Sequence, residues 1–597
     1  MCGIFALLNY HERQNSNNNE LYNEFIKGKN RGPEFSILMK MQSKLHFGFH
    51  RLAINGLNDE SNQPIIIKNS VNEGANEGVN EGEVALICNG EIYNYKELYE
   101  LMNVKPTTDS DCEVIAHLYI KYGIQQTLTM LDGVFSFVLY DNRDEYGPKV
   151  FVARDPYGVR PLYRIKYQNH YNNNKHIFSA PINENWIIGF ASELKCLSTI
   201  YNSQSHLYTV YQFPPGTYSS YTISKDGFWK PVEEEVPYFI PSFPYNIDNE
   251  SNETNNYYKQ IAYFLQKAVS KRCLCTERPI ACLLSGGLDS SLIAALVNKF
   301  YKDNNFAQRL ETYSIGLTGS EDLKYAKIVA DYLGTNHTEI IVTEQEMFDV
   351  IPEVIHAIES YDTTTVRASI GNYLIGKYIS QHSDAKVIFN GDGSDELFGG
   401  YLYMNKCPDV IEFDKETRRL LKDIHLFDVL RSDKSISSHG LEPRTPFLDK
   451  NFVNFILSLP PQFRQHCFNN NNNTKSNVEK FILRNSFTQE NFPVYQNGQL
   501  KQLLPDEILW RRKEAFSDGV TNKGRSLFTI IQEQISEKVV SPDGSKYPIS
   551  IETEKFYYQK LFLEFYPNCL HILPYFWMPK YTNATDPSAR TLDIYTA

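Results

Sequence analysis

Residues 281–291 read ACLLSGGLDSS, and the chain continues to residue 300 as LIAALVNKF. A short apolar run breaks at two glycines and resumes with helical spacing, which predicts strand, tight turn and helix. The same alternation continues downstream. ETYSIGL (311–317), EIIV (339–342) and KVIFNGDGSDE (386–396) are apolar strands, separated by helical stretches such as LKYAKIVADYLG (323–334). Strands alternating with helices predict a parallel sheet covered on both faces. HLFDVLRSDKSISSHG (425–440) and VEKFILRNSF (478–487) read as extra helices over that sheet.

The turn itself is suited to an anion. Gly286 and Gly287 let backbone N–H groups close around it, the following helix presents its positive end, and Ser285 and Ser290 add hydroxyl donors. Two glycines alone equally describe an ordinary tight turn. Asp289 tips the reading, because an acid inside an anion-binding turn is costly unless Mg²⁺ bridges it to phosphate. A second acidic, glycine-rich turn carries Gly391, Asp392, Asp395 and Glu396 just after a strand, where parallel sheets place their ligands. No G-x-x-x-x-G-K-[ST] occurs, so this is not a Walker loop.

Upstream the pattern differs. CGIFALL (2–8), ALICNG (85–90), GVFSFVLYD (133–141), VFVARD (150–155) and IIGFASE (187–193) are short, glycine-punctuated runs that predict buried strands. Residues 230–256, with their prolines, acidic cluster and Asn/Ser-rich end, read as a linker. QNSNNNE (14–20), VNEGANEGVNEG (71–82) and NNNNN (469–473) cannot bury a core and read as solvated insertions. At 597 residues the chain requires more than one core. A balance of 59 basic and 71 acidic residues, 59 − 71 = −12, with no long basic run, argues against a nucleic-acid partner. No 18-residue apolar run and no signal-peptide pattern are present, so a cytoplasmic protein with no membrane partner is expected. Ten scattered cysteines read as reduced thiols, and Cys2 is set apart by its position behind Met1.

SGGLDS resembles the pyrophosphatase-loop motif of ATP-dependent adenylating enzymes. Together with GDGSDELFGGYLY (391–403), ESYDTTTVRAS (359–369), GLEPRTPFLD (440–449) and WRRKEAFSDGV (510–520), the region resembles the synthetase domain of glutamine-hydrolysing asparagine synthetases. The N-terminal half resembles the same family's class II amidotransferase domain through HRLAI (50–54), CNGEIYN (88–94), SDCEV (110–114), NRGPEFS (30–36), RDPYGVRPLY (154–163) and ASELK (191–195). The resemblance implies an α/β multidomain protein. Its N-terminal part would be a four-layer αββα Ntn-hydrolase-like sandwich, and its C-terminal part a parallel-sheet, ATP-pyrophosphatase-like domain with extra helices. The expected boundaries are an amidotransferase domain at 2–225, a linker at 226–256, a synthetase domain at 257–580 and a flexible tail at 581–597.

What the resemblance implies about residues is specific. Cys2, freed at its α-amine by loss of Met1, would be the nucleophile, with Asn89 and Gly90 as oxyanion donors. Arg51, Leu52, Ile54, Glu91 and Asp111 would complete the glutamine site. Leu284, Ser285, Gly286, Gly287, Asp289, Ser290, Ile315, Gly391 and Asp392 would bind ATP. Asp289 and Asp395 would hold Mg²⁺, Lys513 would stabilise the transition state at phosphorus, and Thr364 and Arg367 would lie near nucleotide or aspartate. Asp322 reads as structural. The substrates implied are L-glutamine, L-aspartate and ATP, with β-aspartyl-AMP as intermediate, an internal ammonia tunnel between domains, and a homodimer. Family members commonly have SGEGSDE where this chain has NGDGSDE, so Asn390 and Asp392 depart from the pattern, and Asp392 as general base rests on a shorter side chain. Two alternatives stay open: a related enzyme with a different acceptor, such as a ring-closing or peptide-amidating one, and an inactive homologue.

Overall fold

A computed structural model describes residues 2–10, 19–42, 44–68, 82–143, 147–167, 186–241, 254–465, 478–496, 498–522, 524–539, 545–593 and 595. The asparagine tract 469–473, the NEG repeat up to residue 81 and residues 14–18 lie outside them. The chain divides into two compact units, 1–240 with 563–572, and 241–562 with 573–597.

The first unit holds strands β1 (Gly3–Leu8), β2 (Phe35–Gln42), β3 (Leu45–Arg51), β4 (Ile65–Lys68), β5 (Glu83–Ile92), β6 (Gly133–Asp141), β7 (Lys149–Arg154), β8 (Tyr163–Tyr167), β9 (Ile188–Ala191), β10 (Tyr208–Gln212), β11 (Thr217–Ile223) and β12 (Trp229–Pro237). They form two six-stranded antiparallel sheets, β10-β8-β9-β1-β3-β2 and β12-β11-β7-β6-β5-β4. Side-chain alternation explains the layering. Ile4, Ala6 and Leu8 of β1 meet Ala85 and Ile87 of β5 in one apolar core between the sheets. Phe5, on the other face of β1, packs on Phe25 of the helix Asn19–Ile26, with ring centroids 6.1 Å apart. Leu86 and Cys88, on the other face of β5, pack in a second core with Val114, Ile115 and Leu118 of the helix Glu113–Met130. Helix, sheet, sheet, helix is the expected αββα order.

The second unit is built on a five-stranded parallel sheet in the order β15-β14-β13-β16-β17. Its strands are β13 (Ile280–Leu283), β14 (Glu311–Gly316), β15 (Asn336–Ile341), β16 (Val387–Phe389) and β17 (Glu442–Arg444). β13 is central and enters the helix Leu288–Asp303 through the glycine turn. β16 lies beside it, with Ile280 opposite Val387, so the two acidic glycine turns emerge side by side. No helix among the described residues is long and apolar enough to cross a membrane.

Three expectations need correction. Residues 229–237, expected as linker, form strand β12 at a sheet edge. An edge strand tolerates Pro231 and Pro237, whose missing N–H groups cost no interior ladder bond. There Glu235 pairs with Arg164 at 2.9 Å and Trp229 is buried in the inter-sheet core. Residues 563–572, expected in the synthetase domain, belong to the first unit, where His571 Nε2 lies 2.8 Å from the Val210 carbonyl oxygen and Tyr201 donates to the Asn568 carbonyl. The expected flexible tail is packed over its described residues: Leu592 joins an apolar cluster with Trp577 and Tyr403, and Asp586 is buried.

Asp586 also relocates Arg367, expected near nucleotide or aspartate. Arg367 is 3% exposed and does not line the cavity beyond the ends of β13 and β16, although Thr364 and Ala368 of the same helix do. Its Nε and Nη2 donate to Glu554 at 2.8 and 2.6 Å, and its Nη1 and Nη2 to Asp586 at 2.7 and 2.8 Å. One guanidinium fork saturated by two buried carboxylates has a structural task, joining the helices Thr363–His382 and Ile551–Phe565 to the chain's last segment. Arg367→Ala leaves both carboxylates buried and unpaired, so a loss of about 3–5 kcal/mol is expected. Urea denaturation monitored by circular dichroism measures it; an unchanged midpoint contradicts the clamp.

Candidate active sites

In the first unit the site begins at the start of β1. The Cys2 backbone N–H donates to Asn89 Oδ1 at 3.0 Å, and the Cys2 thiol points to the Leu52 carbonyl at 3.8 Å. Cys2 is 9% exposed, and burial pushes its thiol up to about 11, so it is neutral near pH 7. The NRGPEFS and ASELK stretches explain themselves here. Arg31 Nε donates to the Cys2 carbonyl at 3.1 Å while its Nη1 pairs with Glu193 at 2.8 Å. Ser192 Oγ accepts from the Ile4 N–H at 3.1 Å and from Asn89 Nδ2 at 3.4 Å. Both backbone arms of Cys2 are therefore fixed by side chains remote in sequence.

The other expected residues surround this point. Arg51, at the end of β3, donates from Nη1 to the Asn58 carbonyl and Asn62 Oδ1, each at 2.8 Å, and from Nη2 to the Gly56 carbonyl. Leu52 and Ile54 are buried in the following turn. Asp111 Oδ2 accepts from the Ile92 N–H at 2.6 Å. Asn55, absent from the sequence expectations, donates to Glu91 Oε2 at 2.8 Å and to Asp111 Oδ1 at 3.3 Å. It thus brings together two carboxylates 20 residues apart in the chain. Gly90 has no room for a side chain, since a Cβ there would lie 2.7 Å from the Phe135 Cα. The structure brings all the expected glutamine-site residues into one constellation.

In the second unit a cavity of about 180 Å³ opens beyond the ends of β13 and β16. Leu284, Ser285, Gly287, Asp289, Ser290 and Ile315 line one side, and Gly391, Asp392, Asp395 and Thr364 the other. Gly286 is the exception among the expected ATP residues. It adopts φ +70° and packs against the backbone of Tyr325 and Ala326, so its glycine is required by the turn and the neighbouring helix. Gly391 backs onto Asp289 and Ser290, where a Cβ would come within 2.8 Å of each. The Thr364 hydroxyl has no hydrogen-bond partner among the described residues, a donor left for a ligand.

Four charges dominate the floor. Lys480 Nζ lies 2.7 and 2.6 Å from the two Asp289 oxygens and 2.6 Å from Asp395 Oδ1. Lys513 Nζ lies 2.6 Å from Asp395 Oδ2 and 3.9 Å from Asp289. Burial acts to raise the Asp395 carboxyl, yet Lys480 and Lys513 overcome it and hold it well below the usual range. Burial likewise opposes the Lys513 charge, and Asp395 and Asp289 keep that ammonium above its ordinary value. Sequence reasoning missed Lys480. It sits at φ +57°, outside any glycine signal, and reaches the site only because Gly400 is bare: a Cβ there would collide with Lys480 Cε and Asp395 Oδ1.

Two further acids flank the floor. Burial raises the Asp392 carboxyl, opposed by Arg431, whose Nη2 donates to it at 3.1 Å. Asp322, expected to be structural, lines the cavity, where burial lifts it to about 7 against the pull of Arg511, 3.3 Å away.

The family model for a glutamine amidotransferase domain matches residues 1–229, and that for asparagine synthase matches 260–412 and 405–584. The chain is 39% identical over 621 residues to the chicken (Gallus gallus) protein named asparagine synthetase [glutamine-hydrolyzing], covering 100% of this chain and 99% of that one. The human protein of the same name is 39% identical over 566 residues, 92% of this chain and 91% of its own. Among solved structures, the glutamine phosphoribosylpyrophosphate amidotransferase of B. subtilis matches 57% of this chain and 81% of its own with 16% identity and a TM-score of 0.28, too distant to support any inference. With both domain models matched in order and relatives aligned end to end, the chain belongs to the glutamine-hydrolysing asparagine synthetase family.

Proposed function

We propose that this chain makes L-asparagine from L-aspartate and ATP with ammonia released from L-glutamine, giving glutamate, AMP and pyrophosphate. One observation carries the reading above the others: a buried Lys480 and a half-buried Lys513 set against Asp289 and Asp395 beside the SGGLDSS turn. Two ammonium groups with two hard oxygen donors form a set suited to a polyphosphate and its divalent cation. Asp289 and Asp395 would hold Mg²⁺, which when bound offsets charge on the departing pyrophosphate.

The chain's own groups account for the remaining steps. The turn's N–H groups and Ser285 hold the phosphates, Thr364 offers its hydroxyl to nucleotide or aspartate, and Lys513 meets charge developing at the α-phosphorus as an aspartate carboxylate oxygen attacks it. Asp392, raised by burial, accepts a proton as ammonia adds to the acyl-adenylate.

In the glutamine site a neutral, buried thiol needs a base beside it. Once Met1 is removed, the Cys2 nitrogen, held on Asn89 Oδ1, is an α-amine with a pKa ordinarily near ~8. It takes the thiol proton, the sulfur attacks the glutamine amide carbon, and Asn89 Nδ2 with the Gly90 N–H steadies the oxyanion; the α-ammonium returns the proton to the amide nitrogen, the C–N bond breaks to release ammonia, and water hydrolyses the thioester to glutamate and the free thiol. Arg51 grips the α-carboxylate, and Asp111 with Glu91 receives the α-ammonium. A homodimer and a cytoplasmic location belong to the same proposal, supported by the family resemblance.

Two variants separate the halves of the chemistry. Purified protein with aspartate, glutamine and Mg·ATP is expected to yield asparagine and AMP. Cys2→Ala abolishes glutamine-dependent synthesis and retains synthesis from ammonium salts; loss of both, or of neither, contradicts the assignment. Gly400→Ala displaces Lys480, so asparagine formation from either nitrogen source drops about 100-fold while glutamine hydrolysis continues. Full synthesis by that variant would remove Lys480 from the phosphate site.

A further inference from the structure

We propose that Glu113 is a positioning residue for glutamine, setting Arg51 and Asp111 together through one buried carboxylate; the inference rests on the glutamine site proposed above. Glu113 opens the helix Glu113–Met130 and its side chain is fully buried. Its Oε1 accepts from the Thr107 N–H and hydroxyl, each at 2.7 Å, and lies 2.9 Å from His117 Nε2. Its Oε2 accepts from the Thr108 N–H and hydroxyl, each at 2.6 Å. Burial acts to raise this carboxyl, but the bonds from His117, Thr108 and Thr107 outweigh it and lower it to about 2, so the group is a carboxylate throughout the neutral range.

The clamped loop leads to both substrate-gripping groups. Going forward, it delivers Asp111, whose Oδ2 is fixed by the Ile92 N–H. Going sideways, the Asp109 N–H donates to Ser61 Oγ at 3.2 Å, and Asn58 Nδ2 donates to Asp109 Oδ2 at 2.7 Å. Asn58 also supplies a carbonyl that holds Arg51. Gly56, another Arg51 anchor, sits so close to Asp109 that a Cβ would lie 2.8 Å from its carbonyl carbon. The spacing between a group for the α-carboxylate and one for the α-ammonium is therefore set by a side chain that touches neither. Such a residue governs how tightly an α-amino acid is held, and not the chemistry at Cys2.

Glu113→Gln is nearly isosteric and tests this directly. The substituted amide turns an NH₂ toward one of the two backbone N–H groups, which cannot reverse roles, so the loop loosens. The glutaminase KM for glutamine is expected to rise about tenfold with kcat within about twofold, and ammonia-dependent asparagine synthesis to stay at the wild-type rate. Thr108→Val, which deletes the hydroxyl's bond to Glu113 and the longer one it accepts from the Ser110 N–H, is expected to raise KM about threefold. Unchanged KM in a folded Glu113→Gln protein overturns the proposal, as does a parallel loss of ammonia-dependent synthesis, which would mark a general folding defect. Should Glu113→Gln fail to accumulate, unchanged KM in Thr108→Val overturns it equally. Absence of glutamine hydrolysis by the wild type would instead defeat the glutamine-site reading on which the inference stands.

Discussion

Two lysines set between two carboxylates, Lys480 buried and the other three groups half-buried, organise the second unit. An ammonium as deep as that of Lys480 would not persist alone, because stripping water from such an ion costs several kcal/mol. The four offset one another only while Asp289, Asp395, Lys480 and Lys513 keep their places. That requirement explains several otherwise unrelated features. β13 and β16 must be neighbours so that their turns bring Asp289 and Asp395 together. Gly391 must be bare so that one turn can lie on the other, and Gly400 so that Lys480 can enter. Lys480 itself accepts a left-handed backbone at a cost of about 1–2 kcal/mol. Removing one partner of a buried pair costs about 3–5 kcal/mol, so the strain is the smaller term.

The first unit solves a different problem with similar means. Cys2 lies just ahead of β1 and is held by groups from elsewhere in the fold. Asn89, Arg31 and the Leu52 carbonyl supply that support from three separate strands and turns. Arg31 is itself fixed by Glu193, so the position of Cys2 depends on residues up to 191 positions away in the chain. The α-amine proposed as base is held by the same contact that aligns the oxyanion donor.

How much of this could be read from the chain follows from the range of the interactions. The strands and the glycine turn were legible because apolar runs, glycines and helical spacing are local properties. Cys2, Asn89, Asp111, Asp289 and Lys513 were legible because each lies inside a compact motif. Lys480 was not, since nothing local marks a lysine that pairs with an aspartate 191 residues earlier. Arg367 misled for the converse reason: its neighbourhood ESYDTTTVRAS matches a site motif, while Glu554 and Asp586, which decide its role, lie far downstream. The stretch after residue 226 misled through composition, because prolines and acids that exclude a central strand are acceptable at an edge.

On the proposed function, the four-charge floor beside SGGLDSS splits ATP between its α- and β-phosphates. Isotope exchange measures this most directly: labelled pyrophosphate is incubated with the protein, ATP, Mg²⁺ and aspartate, with glutamine and ammonia left out. Label is expected to enter ATP only when aspartate is present, and variants of the glutamine site are expected to keep that dependence. Release of ADP and inorganic phosphate without exchange would contradict it.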